Sequence, residues 1–225
     1  MLRGRVVSER IDPFSDPQAV ARYVEAAPRN VPGYHAMQRV TALLLAERVP
    51  DDARVLVLGA GGGLELKAFA EAYPNWAFAG VDPSAEMLKL AQRTLGPLAS
   101  RATLHQGYIS DAPIGPFDAA TCLLTLHFLT VEERRRAAAE VHRRLKPGAP
   151  FVAAHFSIPR GEERVVWLSR FAAYAGIDRD QAAAIDARLI ILSPEQDEAI
   201  LREAGFSNIS LFYAGFTFRG WVGRA

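Results

Sequence analysis

The turn Leu58-Gly59-Ala60-Gly61-Gly62-Gly63 and the carboxylate of Asp82 carry the clearest chemistry in the chain. Glycine lets a backbone adopt positive φ and lets a ligand approach the main chain closely. The turn follows the apolar run Arg54–Leu58 and precedes a helical stretch beginning at Leu64. A tight strand-to-helix turn with no ligand is the alternative, and the density of glycine argues against it. A dinucleotide fingerprint, G-x-G-x-x-G, would need glycine where Leu64 stands, and the Gly-Lys-Ser/Thr of a phosphate loop is absent. Asp82 ends a second apolar run about twenty residues further on, where a carboxylate can accept both hydroxyls of a ribose. It could instead cap the next helix, because Asp82-Pro83-Ser84 is good capping chemistry. Beside the glycine turn, ribose binding is the favoured reading.

Other side chains with chemical capacity are scattered. His127 follows the fourth strand, where ligands gather at the carboxyl ends of an open α/β sheet, and is a candidate base or a plain loop histidine. Tyr34, His35 and Arg39 could form a lid face or a solvated helix start. His155 lies in an apolar run and reads as a core histidine. Tyr213 could line a pocket or pack within a hairpin. No histidine cluster has metal-ligand spacing, so no metal is expected.

These residues need elements to position them. Asp16 to about Glu47 has a helical pattern, broken at Pro28 and at Val31-Pro32-Gly33-Tyr34. Residues 1–16 read as a loose arm. Short apolar runs then alternate with helical segments. The strands fall at 54–58, 76–81, 102–105, 117–124 and 150–156. Helices fall at 64–73 and 84–95, and Gly96-Pro97 ends the second. Thr130-Val131-Glu132-Glu133 is a capping box opening a helix that Lys146-Pro147-Gly148 stops. Residues 162–190 are mainly helical. Pro194 suits the first position of a last helix, which Gly205 closes. Asn208–Tyr213 and Thr217–Val222, separated by Ala214-Gly215, read as a terminal antiparallel hairpin. The alternation implies a parallel sheet with helices on both faces.

Val55-Leu56-Val57-Leu58-Gly59-Ala60-Gly61-Gly62-Gly63 resembles the first motif of the class I S-adenosylmethionine-dependent methyltransferases. The resemblance extends over most of residues 50–157, through Gly80–Leu88, Gln106–Asp111, Phe117–Phe128 and Leu145–Gly148. It implies a Rossmann-like α/β fold with a seven-stranded, mostly parallel sheet, a C-terminal antiparallel hairpin and helices on both faces. It also implies S-adenosylmethionine as cofactor. Gly59, Ala60 and Gly61 would pass the methionine end, Asp82 would hold the ribose, and Pro83, Met87, Tyr108, Ile109 and Leu124 would complete the pocket. The family usually carries an acid two positions before the first glycine, helping to orient the methionine end; Val57 stands there. Tyr108 stands where many members have an acid at adenine.

Val31-Pro32-Gly33-Tyr34, Ala204-Gly205-Phe206 and Leu211-Phe212-Tyr213 are similar to carboxy-S-adenosylmethionine synthase-like members, which act in tRNA wobble-uridine modification. That likeness would bring Tyr34 to the methionine end, and leaves Arg188 as the one nearby candidate for a carboxylate-binding arginine. Asn/Asp-Pro-Pro-Tyr, used by many amino-group methyltransferases, is replaced by Leu124-Thr125-Leu126-His127, and Cys122 lacks the preceding proline of cytosine C5 enzymes. The expectation is therefore methyl transfer to a small-molecule acceptor. Synthase-like chemistry and a non-catalytic cofactor-binding domain are the alternatives. Residues 1–50 would be a helical cap over the pocket and 51–225 the core. Catalytic residues are not assigned beyond the candidates His127 and Tyr34.

Composition agrees with one α/β domain. Of 225 residues, half are hydrophobic, and 26 Lys and Arg against 25 Asp and Glu leave a net charge of +1. Such a balance has no electrostatic footprint for nucleic acid or membrane. The single cysteine excludes an internal disulfide, and no apolar run nears the roughly 20 residues of a membrane span. A cytoplasmic location is the default expectation, and a homodimer is left open.

Overall fold

A computed structural model describes Phe14 and residues 17–225. The loose arm expected over residues 1–16 lies outside the described residues, apart from Phe14. Seven strands form one sheet in the order β3-β2-β1-β4-β5-β7-β6. They are β1 (Arg54–Leu58), β2 (Ala77–Asp82), β3 (Ala102–Gln106), β4 (Ala119–Leu123), β5 (Pro150–Phe156), β6 (Ser207–Gly215) and β7 (Phe218–Arg224). β1 to β5 are parallel, β7 runs antiparallel to β5, and β6 runs antiparallel to β7.

The interior strands are buried on both faces, which explains their mainly apolar sequence, with Thr121 in β4 and His155 in β5 as buried polar exceptions. Side chains alternate between the faces with period two. Val55 and Val57 join one core, with α2 (Tyr34–Ala46), α3 (Leu64–Ala72), α4 (Ala85–Leu95) and α6 (Glu162–Ala175). Leu56, Leu58 and Cys122 join the other, with α5 (Val131–Arg144) and α8 (Pro194–Glu203). α1 (Pro17–Asn30) and α7 (Arg179–Arg188) complete the helices.

The helix ends obey local chemistry. Thr130 Oγ1 accepts the Glu133 amide at 3.2 Å, and Glu133 Oε2 accepts the Thr130 amide at 2.8 Å. Pro194 takes the first turn of α8. α5 and α8 are clamped by a buried ion pair, Arg134 to Asp197, with His155 Nε2 of β5 3.1 Å from the same carboxylate oxygen. Burial pushes Asp197 upward, but His155 and Arg134 outweigh it and hold the carboxyl below its ordinary value. His155 is thus a core histidine facing a carboxylate.

Two local expectations need correction. Pro28 does not break the first helix: α1 runs through it to Asn30, and Val31 N–H closes on the Ala27 carbonyl at 3.1 Å. Only its last turn follows the proline, so little helix is left to disrupt. The hairpin reverses at Phe216-Thr217, not at Ala214-Gly215. Gly215 lies within β6 because a Cβ there would stand 2.3 Å from the Tyr213 hydroxyl and 3.2 Å from the Pro32 carbonyl. Close approach, not turning, demands that glycine.

Candidate active site

The carboxyl ends of β1, β2 and β4 meet at the glycine turn. Gly59, Gly61 and Gly63 have φ of 76°, 48° and 79°, all left-handed. A Cβ on Gly59 would fall 1.9 Å from Thr125 Oγ1, and one on Gly63 2.7 Å from the Ala91 backbone. The first glycine lets β1 reach the end of β4, and the third lets α3 pack on α4. Leu124, next after β4, has φ of 57° although it is not glycine. Backbone strain of this kind clusters at functional sites.

Asp82 is not the helix cap. Ser84 caps α4, its hydroxyl accepting the Met87 amide at 3.2 Å. The Asp82 carboxylate instead joins two chain segments: Oδ2 accepts the Gly61 amide at 2.9 Å and Oδ1 the Ser84 amide at 2.9 Å. It fixes the glycine turn against the end of β2.

Above the turn stand side chains from the N-terminal helices. Tyr23 of α1 lies across it, its ring 3.0 Å from where a Cβ on Gly62 would stand. Tyr34 begins α2 because Gly33 takes a left-handed φ of 66° immediately before it. Tyr213 donates to the Pro32 carbonyl and so anchors this loop to β6. Tyr23 and Tyr34 are hydrogen-bonded to each other, and Tyr34 also bonds Gln38. Burial pushes both phenols above their ordinary range, and the facing Glu65 adds to the shift. Both therefore stay protonated.

Glu65, in the first turn of α3, completes the group. It is 6% exposed, and its carboxylate accepts from the Thr121 hydroxyl. Burial pushes its pKa up to about 8, against the opposing pull of that hydrogen bond. Among the described residues no cation pairs with it. Tyr23, Tyr34, Gln38, Gly59, Ala60, Glu65, Leu123 and Leu124 enclose a space of about 10 Å³, room for roughly one water. Phe14 packs beside this group: its carbonyl accepts from Ser84 Oγ at 2.8 Å, and its ring meets Tyr23 and Phe128 edge-on.

The expected site residues divide by position. Tyr34, Gly59, Ala60 and Leu124 line this space. Gly61 and the buried Met87 adjoin it, Met87 Cε lying 3.3 Å from where a Gly61 Cβ would be. Asp82 holds the turn from β2. Ile109 is buried with Leu58 and Val81 in the other core, whereas Pro83 and Tyr108 are exposed, Tyr108 by 63%. His127 is buried away from the space. Its Nδ1 accepts the Phe156 amide at 3.3 Å, and burial, with His155, Arg134 and Arg188 nearby, keeps it well below its ordinary pKa. Arg188 is exposed at the end of α7 and does not line the space. Sequence reasoning missed Tyr23 and Glu65. The empty acidic position at Val57 was the available signal for Glu65, since Val57 pairs with Thr121 in the sheet and Thr121 is Glu65's partner.

Residues 55–148 match the sequence family described as a methyltransferase domain. The carboxy-S-adenosyl-L-methionine synthase of Chromohalobacter salexigens is 27% identical over 227 residues, 95% of this chain and 84% of that protein. Together these matches support a class I S-adenosylmethionine-dependent methyltransferase, with the domain itself matched over residues 55–148. The malonyl-[acyl-carrier protein] O-methyltransferase of Geobacter sulfurreducens is 30% identical over 181 residues, 78% of this chain and 63% of that protein. Human N-acetylserotonin methyltransferase, solved in complex with S-adenosylmethionine, has the same fold, with a TM-score of 0.63 at 13% identity over 94% of this chain. The methyltransferase chain spans 57% of that structure's length.

S-adenosylmethionine is thus the cofactor, and its chemistry suits the donor set. A sulfonium and an ammonium favour a chamber of two phenols and a carboxylate with no cation among its lining residues. The enclosed space is far smaller than the 300–1,000 Å³ typical of ligand pockets.

Proposed function

We propose that this methyltransferase acts on a small-molecule acceptor and holds its cofactor with Tyr34, Gly59, Ala60, Gly61, Asp82, Pro83, Met87, Tyr108, Ile109 and Leu124. Within the expected cap of residues 1–50, α1 and α2 act as the helical cover, and residues 51–225 act as the core. The observation that carries this reading is the convergence of a left-handed glycine turn, the Asp82 carboxylate that braces it, and a cation-free acidic chamber. Bound there, the cofactor supplies a methyl group already activated on a sulfonium. The chain's own work is alignment and exclusion of water, and orientation alone can contribute roughly 7–11 kcal/mol. A base is needed only where the acceptor must lose a proton. The buried His127 is poorly disposed for that, and Tyr34, which faces the chamber but keeps its proton, can donate a hydrogen bond there rather than act as base.

A small acceptor is supported by the enclosure that Phe14, Tyr23 and Tyr34 form over the turn and by the near-zero net charge. A second reading, synthase-like chemistry on the cofactor, is favoured by the relative that covers 95% of the chain and by the Val31-Pro32-Gly33-Tyr34 loop. The test is calorimetric titration with S-adenosylmethionine and NAD, with mass spectrometry of small molecules released from the purified protein. Selective binding of S-adenosylmethionine, followed by labelled-methyl transfer in an acceptor screen, is the expected result. A co-purifying carboxylated cofactor would support the second reading, and binding of NAD alone would overturn both.

A further inference from the structure

Glu65 is a buried carboxylate with no cationic partner among the described residues, in contrast to Asp197, Glu140 and Asp118, each of which meets Arg, His or Lys. Isolated buried charge is costly, so a site that keeps one has a charge of opposite sign to receive or holds the group neutral. The groups facing it supply none. Tyr23 comes from α1, Tyr34 and Gln38 from α2, and Thr121 and Cys122 from β4, with Asp82 beyond Tyr23. These are hydroxyls, an amide, a thiol and a second acid.

The location is specific. Thr121, which donates to Glu65, is the sheet partner of Val57, two positions before the first glycine of the turn. Glu65 also borders Gly59, Ala60, Leu123 and Leu124. A carboxylate absent from the strand is thus restored from the first turn of the following helix. We propose that Glu65 binds the α-ammonium of the cofactor's methionine end, taking the part left open at Val57. This rests on the cofactor-site reading under Proposed function.

Ionised Glu65 needs the incoming cation, and the free carboxyl is held protonated up to about pH 8 by burial. Binding near pH 7 therefore expels the Glu65 proton to solvent, while the phenols of Tyr23 and Tyr34 keep theirs.

The experiment compares wild type with Glu65→Gln, which preserves shape and an acceptor for Thr121. The probes are S-adenosylmethionine, S-adenosylhomocysteine and 5′-methylthioadenosine, titrated at pH 7 in two buffers of different ionisation enthalpy. The first two carry the ammonium, and the third lacks the amino-acid portion. Loss of a charge-assisted contact corresponds to at least about tenfold in affinity. The expected result is that loss for S-adenosylmethionine and S-adenosylhomocysteine alike, with 5′-methylthioadenosine within twofold of wild type. Proton release should approach one per site in wild type and vanish in Glu65→Gln. Equal weakening of all three probes would assign Glu65 a structural role and overturn the proposal. So would unchanged affinity, or weakening confined to S-adenosylmethionine, which would assign it to the sulfonium. Failure of wild type to bind any of the probes would instead overturn the underlying site reading, and the proposal with it.

Discussion

Glu65 makes the folded protein titrate in an unusual direction. Its ordinary carboxyl value is 4.5 and burial raises it to about 8. Below about pH 4.5 the group is protonated in folded and unfolded chains alike, and its contribution to stability is fully present. Between the two values the unfolded chain gives up the proton while the folded chain retains it. The unfolded state is then favoured by about 1.4 kcal/mol per pH unit, on the order of 5 kcal/mol at most over the whole window. Above about pH 8 both forms are ionised and the loss levels off. Glu65→Gln removes this titration and leaves the Thr121 contact an acceptor. Urea unfolding of both proteins at pH 5, 6.5 and 8, followed by the fluorescence of the buried Trp76 and Trp221, isolates the effect. The stability of wild type relative to Glu65→Gln should fall by a few kcal/mol between pH 5 and pH 8. A constant difference across that range would refute the reasoning. It would mean that water reaches Glu65 or that a cation accompanies it.

Asp82→Ala removes the acceptor of the Gly61 and Ser84 amides and the expected ribose partner, so calorimetry should show at least about a tenfold loss of S-adenosylmethionine affinity with the fold retained by circular dichroism. Gly59→Ala forces a Cβ to within 1.9 Å of Thr125 Oγ1 at a left-handed φ, and should lower stability by about 1–3 kcal/mol in denaturant titration while abolishing cofactor binding. Asp197→Asn leaves Arg134, 1% exposed, without its counter-charge, and should cost about 3–5 kcal/mol in urea unfolding.

Much of this architecture is written locally. β1, β4 and β5 are mainly apolar because both faces are covered, and the capping box from Thr130 to Glu133 is a local signal that needs no tertiary knowledge. The glycine turn was legible because only glycine tolerates three left-handed positions so close together. Pro28 and Gly215 misled for one reason: each is a common breaker whose effect here is decided by neighbours distant in sequence or by its place in the element. Gly215 answers to Tyr213 and Pro32, and Pro28 is followed only by a final turn. Glu65 and Tyr23 were hidden more deeply. A glutamate in the first turn of an amphipathic helix ordinarily faces water and favours the helix dipole, and only the packing of α3 on β4 turns this one inward.

The inward carboxylate also bears on which donor the pocket prefers. A carboxylated cofactor would bring an additional negative charge toward the methionine end, where Glu65 already stands uncompensated and Asp82 lies beyond Tyr23. Like charges brought together in a desolvated site oppose binding, so such a donor needs a cation close by. Arg188, the nearby candidate from the sequence, is exposed at the end of α7 and outside the lining of the chamber. Arg134 is already committed to Asp197 and the Ile190 carbonyl. On the proposed site, this arrangement predicts tighter binding of unmodified S-adenosylmethionine than of a carboxylated form, which competition between the two in calorimetry checks. Similarity over the whole chain follows the fold; the choice of donor depends on the few buried groups at the chamber, and here those are an acid and two phenols with no cation among the lining residues.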